Sequence, residues 1–469
     1  MSSPWDNAPP ANETEAQKTA REKRELDALA TSEAIDEEIK RQRANLKKEK
    51  GVIRVLLLGQ AHSGKSTTLK NFRLKYAPAD WERERRSWKA VVQLNLIRNV
   101  LSILFAVQAE MNSELVSEYP SSSSSPIIRF TDKHQLLVMR LAPLRQTEAD
   151  LQRRLGAGAE EFRLKSPSQH SPLDAESPFG HSDAHTEWAV RSWQDALESV
   201  APKNQQPLFD SASEAISNLQ QDIKALWEDE TVKLVVAKYR VFSQDSSGFF
   251  MPDVDRIATR SYEPIDDDIL KARLRTVGVQ EHRLGFTRSS DTASTRSSKG
   301  PVHAEWMLYD VGGCRTQRSA WIPYFENIHA IIFLAPVSCF DERLEEDPRI
   351  NRLQDSLFLW DTVCASPLLL KTTFILFLNK CDLLRKKMKT GVRVKDYLTS
   401  YGDRPNDAKT FVKYLQIKFR DKLYHTQEPI NRNFYSFLTS VVDAKATSAT
   451  LTSVQDGIFR EHLSESNFL

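Results

Sequence analysis

The run Gly59-Gln60-Ala61-His62-Ser63-Gly64-Lys65-Ser66 has the spacing GxxxxGK followed by a hydroxyl residue. The apolar run Val52 to Leu58 precedes it and a helical stretch follows, the context this spacing requires. Small residues let the chain curl so that successive N–H groups face phosphate oxygens at a helix N-terminus. Gly59, His62, Ser63, Gly64 and Thr67 therefore join Lys65 and Ser66 as candidate phosphate contacts. Lys65 would neutralise the β- and γ-phosphates, and the Ser66 hydroxyl would bind Mg²⁺. Such a loop selects phosphate and leaves the base open. Asn379-Lys380-Cys381-Asp382 addresses the base, at the end of the apolar run Phe374–Leu378, where ligands bind in α/β sheets. A carboxylate there can accept from both N1–H and the 2-amino group of guanine, a donor pair that adenine lacks. Asp310-Val311-Gly312-Gly313 ends a further strand. Asp310 would hold Mg²⁺ through water and the Gly313 N–H would meet the γ-phosphate, so the loop relaxes when that phosphate leaves. Asp and Gly–Gly are ordinary turn residues when read alone; the order of the three motifs gives them meaning.

The elements that must position these residues alternate. Trp306–Asp310, Ala330–Ala335 and Thr373–Leu378 read as strands, with helices starting near Gln317, Ile350 and Asp407. Such alternation implies an α/β domain with a mainly parallel sheet covered on both faces. Between the first two motifs the pattern is different. Residues 82–118 read as one long helix with Trp88, Val91, Val92, Leu94, Ile97, Val100, Leu101 and Leu104 on a broad face. Residues 119–190 carry a Ser121–Ser125 homopolymer and recurrent Pro, Ser, His and Gly, and read as a largely disordered insertion around a short helix near Thr147–Phe162. Helical patterning returns over 187–260, so a helical block sits inside the α/β domain. Thr287 to Pro301 reads as a flexible loop. At the start, residues 1–20 are polar and Pro/Asn-rich and read as disordered, and 15–50 read as one charged helix with a thin stripe of Leu26, Leu29, Ile35, Ile39 and Leu46. That helix is either solvated or a partner-binding element.

The 469 residues suit two domains plus extensions, and 40% hydrophobic residues suffice for a sizeable core. A formal net charge of +2, without aromatic–basic interleaving, argues against nucleic acid as partner. Cys314, Cys339, Cys364 and Cys381 show no metal-ligand pairing and read as reduced intracellular thiols. No apolar run approaches the ~20 residues of a membrane span. Residue 2 is serine and no cysteine lies near the start, so N-terminal acylation is not expected.

Taken together, these motifs resemble the α subunit of heterotrimeric G proteins, from about residue 33 to the last residue outside the two insertions. The most specific likeness is the helical block between the phosphate loop and the first switch, opening with Trp88-Lys89-Ala90-Val91-Val92 and closing with Asp253-Val254-Asp255-Arg256-Ile257. The resemblance implies a Ras-like P-loop GTPase domain (51–78 and 264–469) with a six-stranded sheet, and an all-α helical domain (79–263). It places Asp245 and Ser246 where the helical domain leans over GTP or GDP. In the first switch, Asp268 to Gly278, it makes Leu270 a nucleotide contact and Arg273 the built-in arginine finger. Thr276 becomes the second hydroxyl ligand of Mg²⁺, beside Ser66. Thr439-Ser440-Val441-Val442-Asp443 matches the guanine loop, with the Val441 N–H toward guanine O6, although the family usually has cysteine, alanine and threonine after the first threonine. By the same likeness a βγ dimer binds the N-terminal helix and second switch, a receptor contacts the tail Asp456 to Leu469, and a GTP-dependent effector follows. The protein is then expected in the cytoplasm at the inner face of the plasma membrane, held through partners, with Lys40, Arg41, Arg43, Lys47, Lys48 and Lys50 available to an anionic surface.

Besides the guanine loop, three positions around the hydrolytic apparatus depart from the pattern. Cys314 stands where the family has the glutamine that orients the attacking water, and a thiol is shorter and a poor hydrogen-bond partner. Ala61 replaces a glycine where backbone meets the γ-phosphate. His62 replaces a glutamate that bonds across to the arginine switch. A nucleophilic role for Cys314 lacks an activating histidine nearby. The expectation is GTP binding with slow hydrolysis; the alternative is a non-hydrolysing nucleotide-bound scaffold.

Overall fold

The computed structural model describes residues 52–116, 128–155, 159–162, 187–190, 206–239, 241–242, 247–276, 279–287, 303–344, 347–424 and 432–465. The expected N-terminal helix, Asp245, Ser246, most of the loop after Thr287 and the last four residues lie outside them.

The central strand β1 (Val52–Gly59) is buried on both faces. Ile53, Val55 and Leu57 enter one apolar cluster and Val52, Leu56 and Leu58 the other. That two-sided burial is why the run reads as continuously apolar. A sheet forms around it in the order β5-β6-β1-β7-β8-β9. Besides β1 its strands are β5 (Val279–Thr287), β6 (His303–Val311), β7 (Ala330–Pro336), β8 (Thr373–Asn379) and β9 (Phe434–Leu438). Pairing is parallel from β6 across to β9, and only the edge strand β5 runs antiparallel. Strand β5 carries no apolar alternation, because the inward positions are Gln280, His282 and Leu284, and sequence patterning does not announce it.

Thirteen helices are described. After the phosphate loop come α1 (Lys65–Tyr76) and α2 (Pro78–Val116), then α3 (Asp132–Leu141), α4 (Leu144–Leu155), α5 (Gln206–Asn218), α6 (Gln220–Glu228), α7 (Glu230–Tyr239) and the short α8 (Val254–Ile257). The α/β part adds α9 (Asp266–Lys271), α10 (Arg352–Cys364), α11 (Cys381–Lys389), α12 (Ala408–Tyr424) and α13 (Ala444–Glu465). A 3₁₀ segment, Arg315–Tyr324, follows Cys314.

Helix α2 is the spine of the helical block and packs against α4 and α7. It is long and apolar enough to cross a membrane, contrary to the reading that no such stretch exists, but 72% of that window is buried within the protein. Trp88, Val91, Val92, Ile97, Val100, Ile103 and Val107 are each at most 1% exposed. Burial of such side chains contributes about 1.5–3 kcal/mol apiece, and the apolar surface is thereby consumed in the fold.

Two further expectations are corrected here. Within the segment read as largely disordered, Asp132–Leu141 is helix α3, where Thr131 and His134 make a reciprocal capping box; the short helix expected near Thr147–Phe162 is α4, which starts at Leu144 and stops at Leu155, and Leu137, Leu141, Leu144 and Leu151 are buried. The block is also not purely helical. Strands β2 (Ala159–Phe162) and β3 (Glu187–Val190) pair antiparallel, and β3 pairs in parallel with β4 (Arg275–Thr276) of the first switch. Sequence periodicity misses such short pieces because two to four residues hold no period.

Candidate guanine-nucleotide site

The phosphate loop is built where β1 stops. Gly59 has φ +141°, and a Cβ there would lie 2.4 Å from the Leu334 carbonyl oxygen. Gly64, φ +103°, precedes α1, and a Cβ on it would strike Asn379 Nδ2 at 2.4 Å. Both glycines are therefore dictated by close approach as well as by dihedral angle. His62 adopts φ +60° and Lys380 φ +64°. Two of the three non-glycine residues with positive φ among the described ones thus sit in the proposed site, where such strain tends to be stored.

Lys65 is buried and donates to the carbonyls of Gly59 (2.9 Å) and Gln60 (2.8 Å). Burial pulls its pKa down to about 8, against the opposing charges of Asp310 and Cys314. Ser66 Oγ donates to Asp310 Oδ2 at 2.7 Å. The other carboxylate oxygen, Oδ1, is buried with no hydrogen-bond partner, and burial pushes the carboxyl upward in pKa. A hydroxyl beside an unsatisfied buried carboxylate is a hard-oxygen set that suits Mg²⁺, which takes few protein ligands and completes its shell with water and phosphate. The backbone of Thr276 lies in β4; its side chain is outside the described residues, so only Ser66 of the two expected hydroxyl ligands is placed. Ser63 is fully buried, and its Oγ likewise has no hydrogen-bond partner. Thr67 offers its carbonyl to Asn71 Nδ2.

The Asn379–Asp382 segment, the candidate reader of the base, is tied to this loop by Asn379. Its Nδ2 donates to the Ser63 carbonyl at 2.8 Å, while its Oδ1 accepts from Thr439 Oγ1 and the Val441 N–H, both at 3.2 Å. One amide therefore joins the phosphate loop to the guanine loop. Ser440, which departs from the family's residue, donates its hydroxyl to Asp382 Oδ1 at 2.6 Å and holds the carboxylate expected to read guanine. Burial lowers the pKa of Lys380.

The switches close the site from the other side. Ala61 N–H donates to the Gly313 carbonyl at 3.2 Å. A Cβ on Gly313 would fall 2.5 Å from Lys65 Nζ, so the backbone here approaches the buried ammonium closely enough to require glycine. Cys314 is 4% exposed and is followed by Arg318, whose guanidinium grips Asp355 on α10 at 2.6 and 3.1 Å. Arg273 Nη2 lies 3.2 Å from His62 Nε2. Leu270 is buried in α9 within the apolar cluster shared with α2.

Sequence reasoning brought most of these groups together and missed others. Gln60 donates to Asp355 Oδ2 at 2.7 Å, tethering the phosphate loop to α10. Asn95 bonds the backbone of Arg273. The signal for Asn95 was present: a polar residue inside the apolar face of α2.

The G-protein alpha subunit family model matches residues 30–458, most of the chain. This chain belongs to that family. Among curated relatives, the guanine nucleotide-binding protein alpha-4 subunit of Mycosarcoma maydis is 31% identical, over 97% of this chain and 93% of its own. A guanine nucleotide-binding protein subunit alpha of Candida albicans is 27% identical over 93% and 95%. The alpha-1 subunit of Saccharomyces cerevisiae is 26% identical over 89% and 91%. The α subunit described here is accordingly a guanine-nucleotide-binding GTPase of a heterotrimeric G protein, with a Ras-like domain and a helical domain, in a family whose partners are βγ dimers and receptors.

Proposed function

We propose that this α subunit is a receptor-driven GTP/GDP switch that leaves its active state slowly. The observation that carries the slow step is Cys314 at the head of the second switch, directly after the Gly313 that contacts Ala61. In phosphoryl transfer a polar side chain at this point orients the attacking water. A thiol donates and accepts weakly, and a positioned polar group of this kind is worth roughly 10²–10⁴-fold in rate. The Ala61 methyl adds bulk where the γ-phosphate and water would lie.

The remaining residues are those of a working switch. Lys65 and the phosphate-loop N–H groups bind the β- and γ-phosphates, Asp382 and the Val441 N–H read guanine, and Arg273 stabilises charge on the transferring group. Mg²⁺ held by Ser66, with Asp310 behind it, would neutralise phosphate charge. Arg318 and Asp355 anchor the second switch on α10. On this reading residues 51–78 and 264–469 form the GTPase domain and 79–263 the helical domain. The N-terminal helix and second switch bind βγ, the tail from Asp456 meets the receptor, and partners hold the protein at the inner face of the plasma membrane.

Single-turnover phosphate release from GTP-loaded protein tests the slow step, with Cys314→Gln and Ala61→Gly in parallel. Slow release accelerated by the two substitutions supports it. Release at the pace of relatives means that another group positions the water. Failure to bind GTP would favour a scaffold instead.

A further inference from the structure

The main chain of Arg273 is held on several sides. Asn95, on the buried face of α2 and 5% exposed, accepts from the Arg273 N–H through Oδ1 at 2.7 Å. Its Nδ2 donates to the Arg273 carbonyl at 2.9 Å. One carboxamide thus satisfies both polar groups of a single residue, as a neighbouring strand would, and fixes the backbone from which the guanidinium projects. Gly248, φ +82°, packs against both partners: a Cβ there would lie 2.8 Å from Arg273 Cβ and 3.2 Å from Asn95 Oδ1. Its N–H donates to the Lys271 carbonyl at 2.7 Å. One turn along α2, Asn99 Oδ1 accepts from the Phe250 N–H at 2.8 Å and pins the segment that carries Gly248. From the GTPase side, Lys70 Nζ donates to the carbonyls of Ile269 (2.9 Å) and Ala272 (2.7 Å), the turn that leads into Arg273.

We infer that Asn95 is a positioning residue for hydrolysis: its carboxamide sets the backbone of Arg273, so that the arginine is in place only while the helical block is docked on the first switch. This rests on the reading of Arg273 as the arginine that stabilises the transferring phosphoryl group. The physical argument is one of registration. The arginine's own side chain is long and flexible, and its tip reaches His62 across the phosphate loop. A fixed origin for that side chain limits the positions its tip samples. Two hydrogen bonds from one rigid amide give that fixed origin, and they come from a different domain than the phosphate loop. Movement of the helical block away from the switch would therefore withdraw the arginine at the same time as it opens the nucleotide.

The test is a double-mutant cycle on the full chain, read by single-turnover phosphate release and by GTP affinity. Asn95→Leu keeps the side-chain volume and removes both hydrogen bonds. The expected result is phosphate release slowed about tenfold to a hundredfold, GTP affinity changed less than about threefold, and no added loss when Asn95→Leu is placed on Arg273→Ala. The inference is overturned if Asn95→Leu leaves the rate intact, or slows it by the same factor with and without Arg273. Should Asn95→Leu not fold, Asn95→Asp carries the same cycle, since it keeps the acceptor and places a carboxylate oxygen against the Arg273 carbonyl. If Arg273→Ala alone leaves hydrolysis unchanged, the reading of Arg273 is what fails, and the inference falls with it.

Discussion

Arg273 Nη2 stands 3.2 Å from His62 Nε2 across the mouth of the phosphate loop. A guanidinium has only donors, so Nε2 must be the lone-pair nitrogen and the proton of the neutral ring sits on Nδ1. The first switch is thereby latched to the phosphate loop by a charge–neutral hydrogen bond at a position where the family's glutamate would make an ion pair. Replacing His62 with glutamate restores the ion pair and strengthens the latch. Dissociation of a fluorescent GDP analogue is expected to slow about threefold to tenfold in His62→Glu, in line with ~1 kcal/mol for a charge-assisted bond over a weaker one. An unchanged or faster release would show that the latch does not hold the nucleotide.

Ser440 makes a second chain-specific contact, its hydroxyl donating to Asp382 Oδ1 at 2.6 Å. Truncation in Ser440→Ala leaves the carboxylate to be held by solvent. We expect GDP affinity to fall by about threefold to thirtyfold, the worth of ~1–2 kcal/mol for a hydrogen bond to a charged acceptor, with little change in melting temperature. Equilibrium titration with a labelled guanine nucleotide measures it; equal affinity would mean that the contact does not orient the base-reading group.

Lys70 carries a pH signature in the fold itself. Burial lowers its pKa from 10.5 to about 7, with Asp310 opposing. The folded pKa lies below the unfolded one, so between about pH 7 and 10.5 the unfolded chain holds a proton that the folded chain has released. Stability therefore rises with pH through that window. From pH 7 to 9 the native protein should gain on the order of 2 kcal/mol relative to Lys70→Met, read from urea unfolding at the two pH values. Parallel pH profiles for the two proteins would refute the assignment.

Asp355 receives three donors: both Arg318 nitrogens and Gln60 Nε2. Its side chain is 4% exposed and that of Arg318 15%. Asp355→Ala leaves a mostly buried guanidinium without its carboxylate, a change that costs about 3–5 kcal/mol when a buried pair is broken. The expected result is a clear drop in melting temperature together with faster proteolysis of the Arg315–Tyr324 segment. If the melting temperature holds, solvent must reach Arg318 easily and the anchor on α10 is weaker than its geometry implies.

Much of the site was legible because its chemistry is local in sequence. Gly59, Gly64 and Lys65 lie in one loop, and Asp310 and Gly313 in another, so type and spacing alone nominate them as the candidate phosphate and Mg²⁺ contacts. The sheet was legible because β1, β7 and β8 are buried on both faces and read as unbroken apolar runs. Strand β5 was not, since its inward residues include Gln280 and His282. Helix α3 was hidden in a polar, Ser-rich neighbourhood whose few leucines acquire meaning only once packed, whereas α4 was legible in part, with its boundaries displaced.

By itself the sequence determined the family, the guanine and phosphate motifs, and the departures at Ala61, His62, Cys314 and Ser440, because each is a matter of residue identity at a fixed spacing. Tertiary structure alone decided which residues meet across long separations. Asn95 and Arg273 are 178 residues apart, Gln60 and Asp355 295, and Asn379 and Ser63 316. Hydrogen bonds between such partners leave no period or motif in the chain, since their geometry exists only once the helical block and the sheet have packed around them.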